Sequence, residues 1–90
     1  MRLEDTPGDE TRTEREENSL VEDMATNMRR KLAANRHKRH WLNEEVTDAY
    51  LIGRLREEVD ELEAAVAAGE ETWPEAADVA NLAAMIADRQ

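Results

Sequence analysis

Ninety residues with 22 acidic and 12 basic side chains, a formal net charge of −10, make one small domain at most. That surplus of negative charge opposes any general affinity for nucleic acid, whose phosphates it would repel. With no cysteine, 3 glycines, 2 prolines and a second half rich in alanine, leucine, glutamate and arginine, the composition is that of an all-α protein; it excludes disulfides, thiolate metal sites and a cysteine nucleophile.

Residues 1–18 are polar and charged around Pro7 and Gly8 and offer little to bury, so they read as a disordered acidic arm ahead of a domain over 19–90. No segment has a signal-peptide pattern and no apolar run approaches membrane-spanning length, so a soluble cytoplasmic protein without a membrane partner is expected. At Ser19 the pattern changes. Ser19 with Glu22 makes a capping box opening onto Leu20, Met24, Met28 and Leu32 at helical spacing, which predicts a first helix over about 20–36. Six of the 12 Lys and Arg residues lie between Arg29 and Arg39, beside His37 and His40. Such a patch facing an acidic one suits a metal-bound polyphosphate; taken alone it is a solvated helix face. Asn43 with Glu44 and Glu45 predicts a second helix over about 44–68, closed by Gly69. Thr72-Trp73-Pro74-Glu75 forms another capping box, with Pro74 in the first turn, and predicts a third helix over about 73–88.

The second and third helices carry Glu57-Glu58-x-x-Glu61 and Glu75-x-x-Asp78. Residues three and four apart share a helix face, so Glu58 and Glu61 project together, as do Glu75 and Asp78. Packed antiparallel across a short loop, the two helices bring these carboxylates around one volume. Like charges so close need a cation, and an oxygen-only ligand set suits Mg²⁺ or Mn²⁺. At about 100° per residue, the apolar arc of the second helix centres near Leu55 and includes Leu51, Val59, Leu62 and Val66. Glu58 falls inside that arc, where an unpaired charge costs several kcal/mol; Asp60 and Glu63 point elsewhere, as surface. The third helix is apolar nearly all round, which predicts an oligomer with this helix central. Trp41 and Trp73 read as packing residues, and His37 and His40 as exposed.

Together the acidic motifs resemble the EExxE…ExxD signature of the MazG-like, all-α nucleoside triphosphate pyrophosphohydrolases. Met28-Arg-Arg-Lys-Leu32, Asn35-Arg-His-Lys38, Trp41, Leu55-Arg-Glu-Glu-Val-Asp-Glu-Leu62 and Ala77-Asp-Val-Ala-Asn81 look like the small phage-type and actinobacterial members, over about residues 24–88. The resemblance implies a helical-hairpin subunit of about three helices that completes a four-helix-bundle-like core as a homodimer or homotetramer. It implies Mg²⁺-dependent cleavage of a nucleoside triphosphate into monophosphate and pyrophosphate. By position, Glu58, Glu61, Glu75 and Asp78 become metal ligands, and Glu57, Glu58 and Glu61 the catalytic acids that hold the ion or orient water. Lys38 and Trp41 become substrate contacts and Asn81 a contact to substrate or metal; independently, the triphosphate charge must be offset by positive side chains, a task for Lys38 with Arg30 or Arg54. Many members carry a further helix beyond the position of Gln90, so the pocket is expected either to be finished by a neighbouring subunit or to be more open. The alternative from another class is a non-catalytic oligomerisation or adaptor module whose acids bind Mg²⁺ or nucleotide. A nucleic-acid-binding helix around residues 29–40 fits poorly with the net charge.

Overall fold

A computed structural model describes the backbone from Pro7 to Gln90 and the side chains from Thr11 onward. It contains three helices and, among the described residues, no strand: α1 (Pro7–Ala34), α2 (Asp48–Ala68) and α3 (Trp73–Asp88). No helix among these residues is long and apolar enough to cross a membrane.

The third helix has the predicted limits, and the second ends where predicted. Gly69 terminates α2 at φ 69°, with Gly69 and Glu70 N–H groups closing back onto the Val66 and Ala65 carbonyls at 3.2 and 3.0 Å. A left-handed residue at this place is one glycine adopts without a Cβ penalty. The predicted start of α2 is corrected. Asn43 instead turns the chain locally, its side-chain oxygen accepting from the Glu45 N–H at 2.9 Å. The N-cap is Thr47, in an extended conformation, whose hydroxyl accepts from the Tyr50 N–H at 3.0 Å.

The start of α1 is corrected further. Ser19 lies inside the helix instead of capping it, and residues 7–18, expected as part of a disordered arm, form the first turns. Apolar periodicity gives no hint of this, because residues 11–23 are all exposed. What favours helix there is local: Pro7 at the start, acidic side chains in the early turns and an i,i+4 pair, Arg12–Glu16, at 3.9 Å. Residues 1–6 of the expected arm lie outside the described residues.

Packing is organised around α3, which lies against both α1 and α2, while α1 and α2 do not touch. On α2 the buried line is Leu51, Glu58 and Ala65, seven residues apart; on α3 it is Ala77 and Asn81, one turn apart. Ala77 is fully buried, so α3 approaches its neighbours closely at a methyl group. Met24, Met28 and Leu32 of the predicted α1 stripe are half-buried, but Leu20 and Val21 are exposed. The radius of gyration is 16.8 Å, against about 12 Å for a compact chain of this length. Its accessible area is 6987 Å², against about 5,400 Å² for a folded monomer of 10.3 kDa. The chain leaves apolar helix faces uncovered.

Candidate metal centre and adjoining cleft

Glu58 sits at the α2–α3 contact with 6% of its surface exposed. One oxygen, Oε1, accepts from Arg54 Nη2 at 2.9 Å; the other, Oε2, is buried without a hydrogen-bond partner. Burial raises its pKa first, followed by the carboxyl of Glu61 and the charge of Asp78. Arg54 offsets this only in part. Two of the predicted acids, Glu61 on the same helix and Asp78 on α3, therefore act on Glu58. Glu61 itself is exposed, at the rim.

Arg54 also pairs with the exposed Glu57. Burial pulls the guanidinium pKa down, but the Glu57 hydrogen bond and the charges of Glu58 and Glu57 raise it overall. Across the group, Lys31 of α1 reaches Asp78 of α3, Nζ to Oδ2, at 3.3 Å, with both side chains mostly buried. Arg54 and Lys31 thus already offset part of the acidic charge. Among the described residues, no three acidic or histidine side chains converge into a ready-made chelate. Taking up an ion means releasing Arg54 and Lys31 from these acids.

Glu75 is placed differently from its expected cap role. Thr72 is in a helical conformation and makes no side-chain cap bond, so the second capping box does not form. Glu75 is half-buried and its Oε2 has no partner, one turn before Asp78. A buried carboxylate oxygen left in this state costs about 1–3 kcal/mol. Two such oxygens, on Glu58 and Glu75, accord with the donor chemistry of a hard divalent cation. The residues fit the ion in type, though Glu57, Glu58 and Asp78 are engaged by cationic side chains as they stand.

Beside the acids, a cleft of about 230 Å³ runs between α1, α3 and the loop that precedes α2, lined by Met28, Leu32, Trp41, Asn81, Ala84, Met85 and Asp88. Asn81 is 6% exposed; its amide donates to the Met28 carbonyl at 3.1 Å, while Oδ1 is buried and unpartnered. Trp41 forms the outer wall, stacked on His40 with ring centroids 3.9 Å apart. The end of α3 fixes that wall. Trp41 Nε1–H donates to Asp88 at 2.9 Å, while Arg89 donates to the Trp41 carbonyl at 2.6 Å and to Asp48 at 2.7 Å. Trp73 packs instead under Arg30, whose guanidinium lies 5.5 Å from the ring.

The predicted residues divide into three groups. Glu57, Glu58, Glu61, Asp78 and Arg54 fall in one electrostatic cluster, with Glu75 half-buried one turn before Asp78; Trp41 and Asn81 line one cleft; Lys38 is exposed on the loop after α1. Lys31, Asp88 and Arg89 were not singled out by spacing. For Lys31 a signal existed: it follows Met28 by three residues, at the edge of the stripe that faces α3. No family model, curated protein or solved structure matches the chain.

Proposed function

We propose that this chain is a Mg²⁺-dependent nucleoside triphosphate pyrophosphohydrolase of the MazG-like kind, cytoplasmic and working as a homodimer or homotetramer. The observation that supports this most is the pair of buried, unpartnered carboxylate oxygens on Glu58 and Glu75, next to Asp78, which acts on Glu58 across the helix contact. Glu58, Glu61, Glu75 and Asp78 are the residues to hold the ion, with Mn²⁺ as a substitute. The chemistry an ion supplies at such a site is charge neutralisation on phosphate oxygens and a lowered pKa for water.

The remaining roles fall to the chain itself. Glu57, exposed beside the cluster, is positioned to take a proton from water once Arg54 turns from it to phosphate. Arg54 and Lys38 then offset the triphosphate charge. The cleft between Trp41 and Asn81 is lined mainly by apolar side chains, which suits the faces of a planar base. The uncovered helix faces and the extended shape favour completion by further copies.

Pyrophosphate release from a panel of ribo- and deoxyribonucleoside triphosphates, with Mg²⁺ and with chelator, tests the reading. Release that needs Mg²⁺ and is lost in Glu58→Gln and Asp78→Asn is the expected result. Mg²⁺ or nucleotide binding without release from any triphosphate would assign the chain to the non-catalytic alternative.

A further inference from the structure

Lys31 stands where the acids and the cleft adjoin. On α1 it lies between Met28 and Leu32, which line the cleft; its partner Asp78 lies on α3 one turn before Asn81, which lines the same cleft. Its Nζ rests 3.3 Å from Asp78 Oδ2, with 27% and 21% of the two side chains exposed. Among the described residues Lys31 has no other ion-pair partner, whereas Arg54 is shared between Glu58 and the exposed Glu57. Arg54 can release one acid and keep the other. Lys31 has no second acid to keep.

The ammonium therefore competes with any divalent cation for Asp78. An ion held by that carboxylate repels a positive group beside it. Lys31 must then withdraw, and a mostly buried ammonium without an anion is unfavourable. A polyphosphate reverses the balance. With a planar base in the cleft and its phosphates toward the acids, anionic oxygens come to the boundary where Lys31 stands, and the ammonium regains a partner. We propose that Lys31 couples two ligands: paired with Asp78 it opposes a divalent cation that comes alone, and paired with phosphate it favours cation and polyphosphate together. Such coupling is reciprocal, so the cation raises the affinity for polyphosphate by the same factor. The inference rests on the metal-dependent reading above and adds a resting state to it. The site closed by Lys31 is the free form, and the chain takes up the ion with its polyphosphate.

Titration calorimetry on the full chain at fixed ionic strength tests it with two probes. One is Mg²⁺ alone; the other is the Mg²⁺ complex of an inorganic triphosphate analogue whose methylene bridges cannot be cleaved. Wild type should bind the complex more tightly than free Mg²⁺; equal affinities would overturn the coupling without any variant. Lys31→Met and Lys31→Gln should move the two affinities in opposite directions, each on the order of tenfold. Free Mg²⁺ should bind more tightly, because its competitor is gone, and the complex more weakly. A role confined to tying α1 to α3 would move both affinities the same way. Lys31→Arg keeps the charge and should stay near wild type with both probes. Arg29→Met removes a cation from the exposed side of the same helix and should shift neither by more than about twofold. Free Mg²⁺ bound no more tightly by the two neutral variants, or a complex bound as well as by wild type, would overturn the coupling even if wild type releases pyrophosphate. A wild type that binds neither probe at millimolar concentration would overturn the metal-dependent reading and this inference with it.

Discussion

Glu58→Gln separates a structural carboxylate from one kept at a cost for its chemistry. In the native state one Glu58 oxygen pairs with Arg54 and the other is buried with no partner, near Glu61 and Asp78. Removing the charge relieves an unsatisfied oxygen worth about 1–3 kcal/mol and lets the new amide donate to a neighbouring carboxylate. It also weakens the half-buried Arg54 pair, at a cost of about 0.5–1 kcal/mol. The net is a variant more stable by about 1 kcal/mol, or about 4–8 °C in melting temperature for a domain of this size. Melting is followed by far-UV circular dichroism at fixed protein concentration, because association itself shifts the midpoint. Added Mg²⁺ at a hundredfold its Kd should stabilise the wild type by about 2.7 kcal/mol and the variant much less. Asp60→Asn, on the exposed side of α2, serves as the control and should respond as wild type. A variant less stable than wild type in chelator, or one as responsive to Mg²⁺, would refute the reasoning.

The same residue sets a pH dependence. Burial, the Glu61 carboxyl and the Asp78 charge raise the Glu58 pKa, so the native chain keeps this proton to higher pH than the unfolded chain does. Stability therefore falls as pH rises from the ordinary glutamate value through the raised one, and the advantage of Glu58→Gln should shrink on acidification through that window. Gly69→Ala, at φ 69°, should cost about 1 kcal/mol, read as a lower urea midpoint at unchanged slope. Deleting residues 1–17 removes the helical turns over 7–17, exposed from Thr11 onward, so the spectrum should lose helix signal while the melting temperature moves by less than about 3 °C. Asp88→Ala or Arg89→Ala should loosen the Trp41 wall, seen as a red shift in tryptophan emission and faster acrylamide quenching.

Where the sequence carried its own local chemistry, the structure was legible from it. Gly69 and Pro74 bracket a turn that could fall nowhere else, and α3 starts and stops as expected. Glu58 was identifiable because a charge inside an apolar arc has few explanations, and it is indeed buried. The start of α2 was not legible, because Asn43 and Thr47 both offer a capping oxygen and only the path of the loop, pinned by Arg89, selects between them. The first turns of α1 were hidden because their helix rests on charge pattern without a buried face. Pairings across helices, Lys31 with Asp78 and Trp41 with Asp88, depend on how α3 sits between its neighbours, which no spacing within one helix encodes.

Ala77 sets a length scale. Ala77 on α3 and Ala65 on α2 are both buried, and small side chains at a helix contact let the axes approach toward the short end of the usual range. Asp78 follows Ala77 directly, so the spacing of α3 from α2 bears on the gap between its carboxylate and that of Glu58. If the acids hold an ion as proposed, that gap acts as a sieve on ionic radius. Mg²⁺ needs oxygens at about 2.0–2.1 Å and Ca²⁺ at about 2.3–2.6 Å, a difference smaller than the spread caused by one added methyl group. Ala77→Val should then widen that gap and turn preference from the smaller ion toward the larger with the full set of carboxylates retained.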